Sequence, residues 1–136
     1  MTPIQHSIPA NGIELCVFEW EGERSPLLFT HATGFHARVW DAVIEQFAGH
    51  QIYSMDMRGH GRTTGGPVSH WQKLADDIAA VCQELGIEGA TGIGHSMGAH
   101  TLLQTASDVP ALFERLVLFD PVILAPEYYS LSLIHI

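Results

Sequence analysis

Apolar positions along the chain follow two spacings, and the alternation between them outlines the elements. Ile13, Leu15 and Val17 share one parity within 13–20, the period-2 signature of a strand. Asn11-Gly12 just before it is a hairpin-turn pair, so residues 5–8 are expected to be its antiparallel partner. Leu27-Leu28-Phe29 is a short continuous apolar run, as in a strand covered on both faces. Val39, Trp40, Val43, Ile44 and Phe47 share one face of an expected helix over 39–48. A further strand is expected at 51–55. Trp71, Leu74, Ile78, Val81, Cys82 and Leu85 step by three and four, and Gly86 stops that helix. Residues 90–94 read as a strand, 97–107 as a helix with Pro110 beyond its end, and 116–119 as a last apolar strand closed by Asp120-Pro121. After the first hairpin the order is strand, helix, strand, helix, strand, helix, strand. The expected class is α/β: a doubly wound, mostly parallel sheet with helices on both faces and an N-terminal antiparallel hairpin.

Composition adds limits to this picture. With 46% hydrophobic and 15% charged residues, the 136-residue chain can bury a core and is not a disordered segment. The formal net charge is −9. Lys73 is the single lysine and the five arginines are scattered, which argues against nucleic acid or an anionic membrane surface as partner. Cys16 and Cys82 lie far apart in apolar contexts and are expected to be buried reduced thiols. The N-terminus has no signal-peptide pattern, and no apolar run reaches the roughly 18 residues of a membrane span. A cytoplasmic protein is expected. Its oligomeric state is left open.

The chemistry concentrates at Gly94-His95-Ser96-Met97-Gly98, which fits G-x-S-x-G. The pattern sits directly after an expected strand and before an expected helix, the context of a nucleophile elbow. A turn that tight leaves no room for side chains two before and two after the serine, hence Gly94 and Gly98. It lifts the Ser96 hydroxyl clear of the sheet and aims the positive end of the next helix at developing negative charge. Acyl transfer also requires oxyanion donors: the N–H of the residue after the nucleophile, Met97, and one from the loop at 30–35.

Two further segments carry a family resemblance. His31-Ala32-Thr33-Gly34-Phe35 resembles the His-Gly oxyanion segment of α/β-hydrolases, and Asp56-Met57-Arg58-Gly59-His60-Gly61 resembles that family's D-x-R-G-x-G loop. With the elbow, the resemblance covers about residues 27–121. It implies Ser96 as nucleophile, with Thr33 and Met97 as backbone oxyanion donors. Ala32 stands where the family usually has glycine, which leaves Gly34 as an alternative donor. The implied activity is a serine hydrolase forming an acyl-enzyme from a small carboxylic ester or related acyl substrate, with no cofactor and no metal. Haloalkane dehalogenase chemistry is disfavoured, since it uses an aspartate at position 96.

The other polar residues are less decided. His31, Phe35 and His95 are candidates for substrate contact, although packing is the plainer reading of both histidines. Asp56 is expected to tie its turn together and Arg58 to bond nearby carbonyls. His36, His60, His70 and His100 show no metal spacing and read as loop or solvated residues. Asp120 ends the strand after the elbow helix, at the carboxyl edge where ligands bind, and is a possible triad acid.

In this fold the order is serine, acid, histidine. Only His135 follows Asp120, and it stands too close behind to be the expected base. The chain is therefore expected to be an N-terminal fragment, inactive alone, with a hydrolase core over 1–125 and the start of a cap at 126–130. Leu131-Ser132-Leu133-Ile134-His135-Ile136 resembles a peptide read from a sequencing-library transposon end and is expected to be a non-native tail over 131–136. Two other classes compete. Gly92-Ile93-Gly94-His95-Ser96-Met97-Gly98 also resembles a dinucleotide-binding glycine loop, with Asp120 as the ribose acid. A non-catalytic α/β-hydrolase relative that binds a small molecule is the other.

Overall fold

The computed structural model describes residues 1–66 and 68–128. His135, the 131–136 tail and positions 129–130 of the expected cap segment lie outside them. Six strands form one sheet: β1 (Ile4–Ala10), β2 (Ile13–Trp20), β3 (Arg24–Thr30), β4 (His50–Met55), β5 (Ala90–His95) and β6 (Phe113–Phe119). Their order is β1-β2-β4-β3-β5-β6. β1 and β2 pair antiparallel through the Asn11-Gly12 turn, whose residues both have positive φ (51° and 79°) as a type I′ turn requires. β2 pairs antiparallel with β4, and every later pairing is parallel. The doubly wound sheet with its N-terminal antiparallel hairpin is the expected class.

Alternation along each strand sorts the core into two layers. Leu15, Val17, Leu28, Tyr53 and Met55 face α2 (Trp71–Leu85) and α3 (Met97–Asp108), where they meet Leu74, Ile78, Val81 and Leu102. Cys16, Phe18, Leu27, Phe29 and Ile52 face the opposite layer with Ala37 and Ile44. The α2 helix ends as expected: Gly86 takes the left-handed conformation (φ 64°), and Ile87 N–H donates to the Cys82 carbonyl at 2.8 Å. Both cysteines are buried and free, and burial pushes the Cys82 thiol up to about 12, a group with no nucleophilic character at neutral pH.

The expected helix over 39–48 is broken. A 3-10 turn at Ala37–Trp40 leads into one α-helical turn, α1 (Asp41–Ile44), and a second 3-10 turn at Glu45–Phe47. Tertiary anchors override the periodicity here. Asp56 Oδ1 accepts the Ala37 N–H at 2.7 Å, Ser54 Oγ donates to the Ala37 carbonyl at 3.0 Å, and Gly49 turns the chain at φ 90°. Ala37 and Ile44 are buried, whereas Val39, Val43 and Phe47 from the expected apolar face are exposed. Together with Phe29 and with Val117 and Phe119 of β6, Val43 and Phe47 border an apolar groove of about 560 Å³ on this side of the sheet. Among the described residues no helix is long and apolar enough to cross a membrane.

Candidate active site

Ser96 stands between the last residue of β5 and the first of α3, with φ 52° and ψ −112°. A non-glycine residue in that region is strained and persists only where its surroundings hold it. Its N–H donates to the Phe119 carbonyl on β6 at 2.9 Å, and its own carbonyl accepts from His100 at 3.0 Å and Val122 at 3.4 Å. The flanking glycines are required by contact. A Cβ on Gly94 would lie 2.7 Å from the Ala99 nitrogen, and one on Gly98 would lie 2.5 Å from the Thr30 carbonyl oxygen and 2.7 Å from that of His31. Gly98 thus lets the first turn of α3 rest on the end of β3, where the 31–36 loop begins. Ser96 occupies the N-cap position but makes no side-chain capping bond. Its hydroxyl is not spent as a helix cap, and Met97 N–H, at the first helical position, has no intrahelical acceptor.

The loop after β3 is a tight turn. Phe35 N–H donates to the Ala32 carbonyl at 3.1 Å, and Gly34 has φ 84°, so residues 32–35 form a type II turn. The Ala32 carbonyl also meets His31 Nδ1 at 2.8 Å. A trans peptide points its N–H opposite to its C=O, so these two donors fix the direction of the Thr33 N–H on the far side. Gly34 N–H is engaged, donating to His60 Nε2 at 3.0 Å. Of the two sequence alternatives, Thr33 is the one whose N–H has no acceptor among the described residues. His31 itself is fully buried, with Met57 N–H donating to its Nε2 at 3.0 Å. Burial pushes its pKa down to about 4. His31 is thus buried with both ring nitrogens in hydrogen bonds.

The 56–61 loop is the scaffold beneath. Asp56 carries its turn as expected, its carboxylate accepting from Ala37 N–H and from Arg62 N–H at 2.8 Å. Gly61 (φ 54°) passes so close that a Cβ there would lie 2.3 Å from that carboxyl group. Arg58 differs from expectation. Its main partner is the Asp77 carboxylate on α2, at 2.8 Å from both Nε and Nη2, and the Asn11 carbonyl is secondary at 3.4 Å. That buried pair ties loop, helix and N-terminal hairpin together.

His95 and Phe35 are exposed and border a cleft of about 300 Å³ with Ala32, Val39, Trp40 and Val43. Phe35 also borders a second cleft, of about 710 Å³, between the 33–36 and 58–66 loops. Asp120 follows Phe119 as Ser96 follows His95, and those two residues are register partners in the β5–β6 pair. Asp120 is exposed and, like Ser96, has a positive φ, 44°. Gly92, which suggested a dinucleotide loop, serves packing: a Cβ there would lie 2.9 Å from Leu116 Cδ2. His60 read as an ordinary loop residue, and its bond to Gly34 joins positions 26 apart, with no local signal in the sequence.

Comparison with known proteins identifies the fold. A family model described as alpha/beta hydrolase fold matches residues 25–132. The sn-1-specific diacylglycerol lipase ABHD11 of Danio rerio is 33% identical over 109 residues, covering 76% of this chain and 34% of that protein. N-formylmaleamate deformylase of Pseudomonas putida is 32% identical over 124 residues, covering 88% and 46%. The structure of a thermophilic esterase from Thermogutta terrifontis superposes with a TM-score of 0.77 at 25% identity, covering 93% of this chain and 49% of that one. The chain therefore spans between a third and a half of the length of these relatives.

Proposed function

Since the chain belongs to the α/β-hydrolase fold family, whose members related to it include a lipase, an esterase and a deformylase, we propose that Ser96 is the nucleophile of a serine hydrolase. The reading is a small-molecule carboxylic ester or related acyl compound as substrate, cleaved through an acyl-enzyme. The observation that carries it is the strained Ser96 backbone, held on both sides while its hydroxyl caps nothing.

In the proposed reaction, Ser96 Oγ attacks the acyl carbon and its proton passes to a histidine base. The C=O π electrons move onto oxygen, and the oxyanion is received by the N–H groups of Thr33 and Met97. The tetrahedral intermediate collapses, and the leaving alcohol or amine departs with the proton from the histidine. Water then repeats the sequence and releases the acid and the free serine. Asp120 is the carboxylate we assign to orient that histidine. It lies at the carboxyl edge of the sheet, directly after Phe119, as Ser96 lies directly after Phe119's register partner His95. The base is proposed to follow Asp120 in the chain order of this fold, outside the described residues.

The test is ester turnover by the intact protein. Release of p-nitrophenol from p-nitrophenyl acetate is expected in the wild type and its loss, by at least about three orders of magnitude in kcat, in Ser96→Ala. Undiminished turnover in Ser96→Ala contradicts the assignment.

A further inference from the structure

We propose that His60 is a positioning residue for the oxyanion loop, fixing the Thr33–Gly34 peptide and with it the type II turn that carries the Thr33 N–H; the inference rests on the serine-hydrolase reading above.

The local hydrogen bonds define the state of its ring. Nδ1 lies 2.9 Å from the Arg58 carbonyl oxygen, which can only accept, so Nδ1 carries the proton. Nε2 lies 3.0 Å from the Gly34 nitrogen, which can only donate, so Nε2 presents its lone pair. Only the neutral Nδ1–H tautomer satisfies both partners. His31 is in the same tautomer for the same reason, between the Ala32 carbonyl and Met57 N–H, and the two rings contact each other with centroids 5.1 Å apart.

The two histidines divide the turn between them. His31 and Phe35 fix the Ala32–Thr33 peptide through its carbonyl. His60 fixes the next peptide through its N–H. That second restraint decides the turn type. Types I and II differ chiefly in the orientation of the central peptide, and flipping it swings the central N–H to the opposite side. In a type I turn Gly34 N–H would leave His60, and the Thr33 carbonyl would face the imidazole lone pair. The acceptor at His60 Nε2 therefore selects type II, helped by the ease with which glycine takes φ 84°. The restraint is itself anchored: His60 N–H donates to the Met57 carbonyl at 2.9 Å, and Arg58 is clamped to Asp77 of α2. The oxyanion loop is thus referenced to α2 through His60, a path of fixed geometry of the kind that preorganised donors require.

The test separates the two ring nitrogens in the intact protein. His60→Asn keeps a donor near the Nδ1 position and has no acceptor reaching Gly34. His60→Gln carries an acceptor near the Nε2 position. His60→Ala has neither. With active sites counted by fluorophosphonate titration, kcat on p-nitrophenyl acetate is expected to fall about 10- to 100-fold in Asn and Ala, less than the loss of a whole oxyanion donor, with KM within about twofold. Gln is expected to recover most of the loss. Hydrogen exchange at the Gly34 amide supplies a readout independent of turnover: slow in wild type and Gln, fast in Asn and Ala. Wild-type kcat in His60→Asn, or equal losses in all three variants with Gly34 exchange unchanged, would overturn the proposal. If the wild type neither hydrolyses esters nor reacts with the probe, the hydrolase reading fails, while Gly34 exchange still decides whether His60 holds the turn.

Discussion

Two residues at the carboxyl edge of the sheet, Ser96 and Asp120, directly follow the paired strand ends His95 and Phe119, each with a positive φ. The reading of Asp120 as acid predicts that Asp120→Asn lowers kcat of the intact enzyme by about 10³- to 10⁴-fold, with Ser96 still in place, because the histidine loses the partner that sets its tautomer. A change under tenfold contradicts it. His31 makes a different prediction. Burial holds its pKa at about 4, below the ordinary 6.5. The unfolded chain takes up the proton that the folded chain refuses, so the contribution is complete above pH 6.5 and is lost as pH falls toward 4. Its size is at most about 3 kcal/mol. Urea unfolding between pH 7.5 and 4.5 is expected to show a shallower decline in His31→Asn than in wild type; equal slopes contradict it. Legibility at this scale followed chain distance. Ser96 and its glycines stand in one pentapeptide and were visible. The bond that engages Gly34 N–H comes from His60, far along the chain, and was not.

Among the elements, α2 and the two-faced strands follow their sequence periods closely, because nothing competes with burial of their apolar stripes. The segment around α1 does not. Its spacing is helical, but bonds from Asp56 and Ser54 to Ala37 shape its entry and leave part of the apolar face bare. Arg58 and Asp77 show the same principle in a favourable sense: a loop is located by a helix residue 19 positions on. Asp77 is 1% exposed and Arg58 11%. Removing one partner leaves a buried charge uncompensated, so Asp77→Ala is expected to cost about 3 kcal/mol. The double variant Arg58→Met, Asp77→Ala is expected to recover part of that cost in denaturant melts. A double variant no more stable than the single one contradicts the buried-pair account.

For the molecule as a whole, strand and helix alternation made the α/β class readable, and the glycine-flanked serine marked the candidate site. The sheet order was not readable, because β2 pairs with β4 rather than β3, a pairing that no local pattern reports. The chain spans 34% and 46% of two relatives it matches, and the turn at Ser96, the 31–36 loop and the 56–61 loop beneath it are joined by the contacts described above. The most direct measurement of the central claim is mass-spectrometric mapping of the adduct formed when the intact protein reacts with a fluorophosphonate probe. The account predicts one phosphonyl group on Ser96, absent in Ser96→Ala. Labelling that persists in Ser96→Ala, or no labelling of the folded wild type, would contradict it.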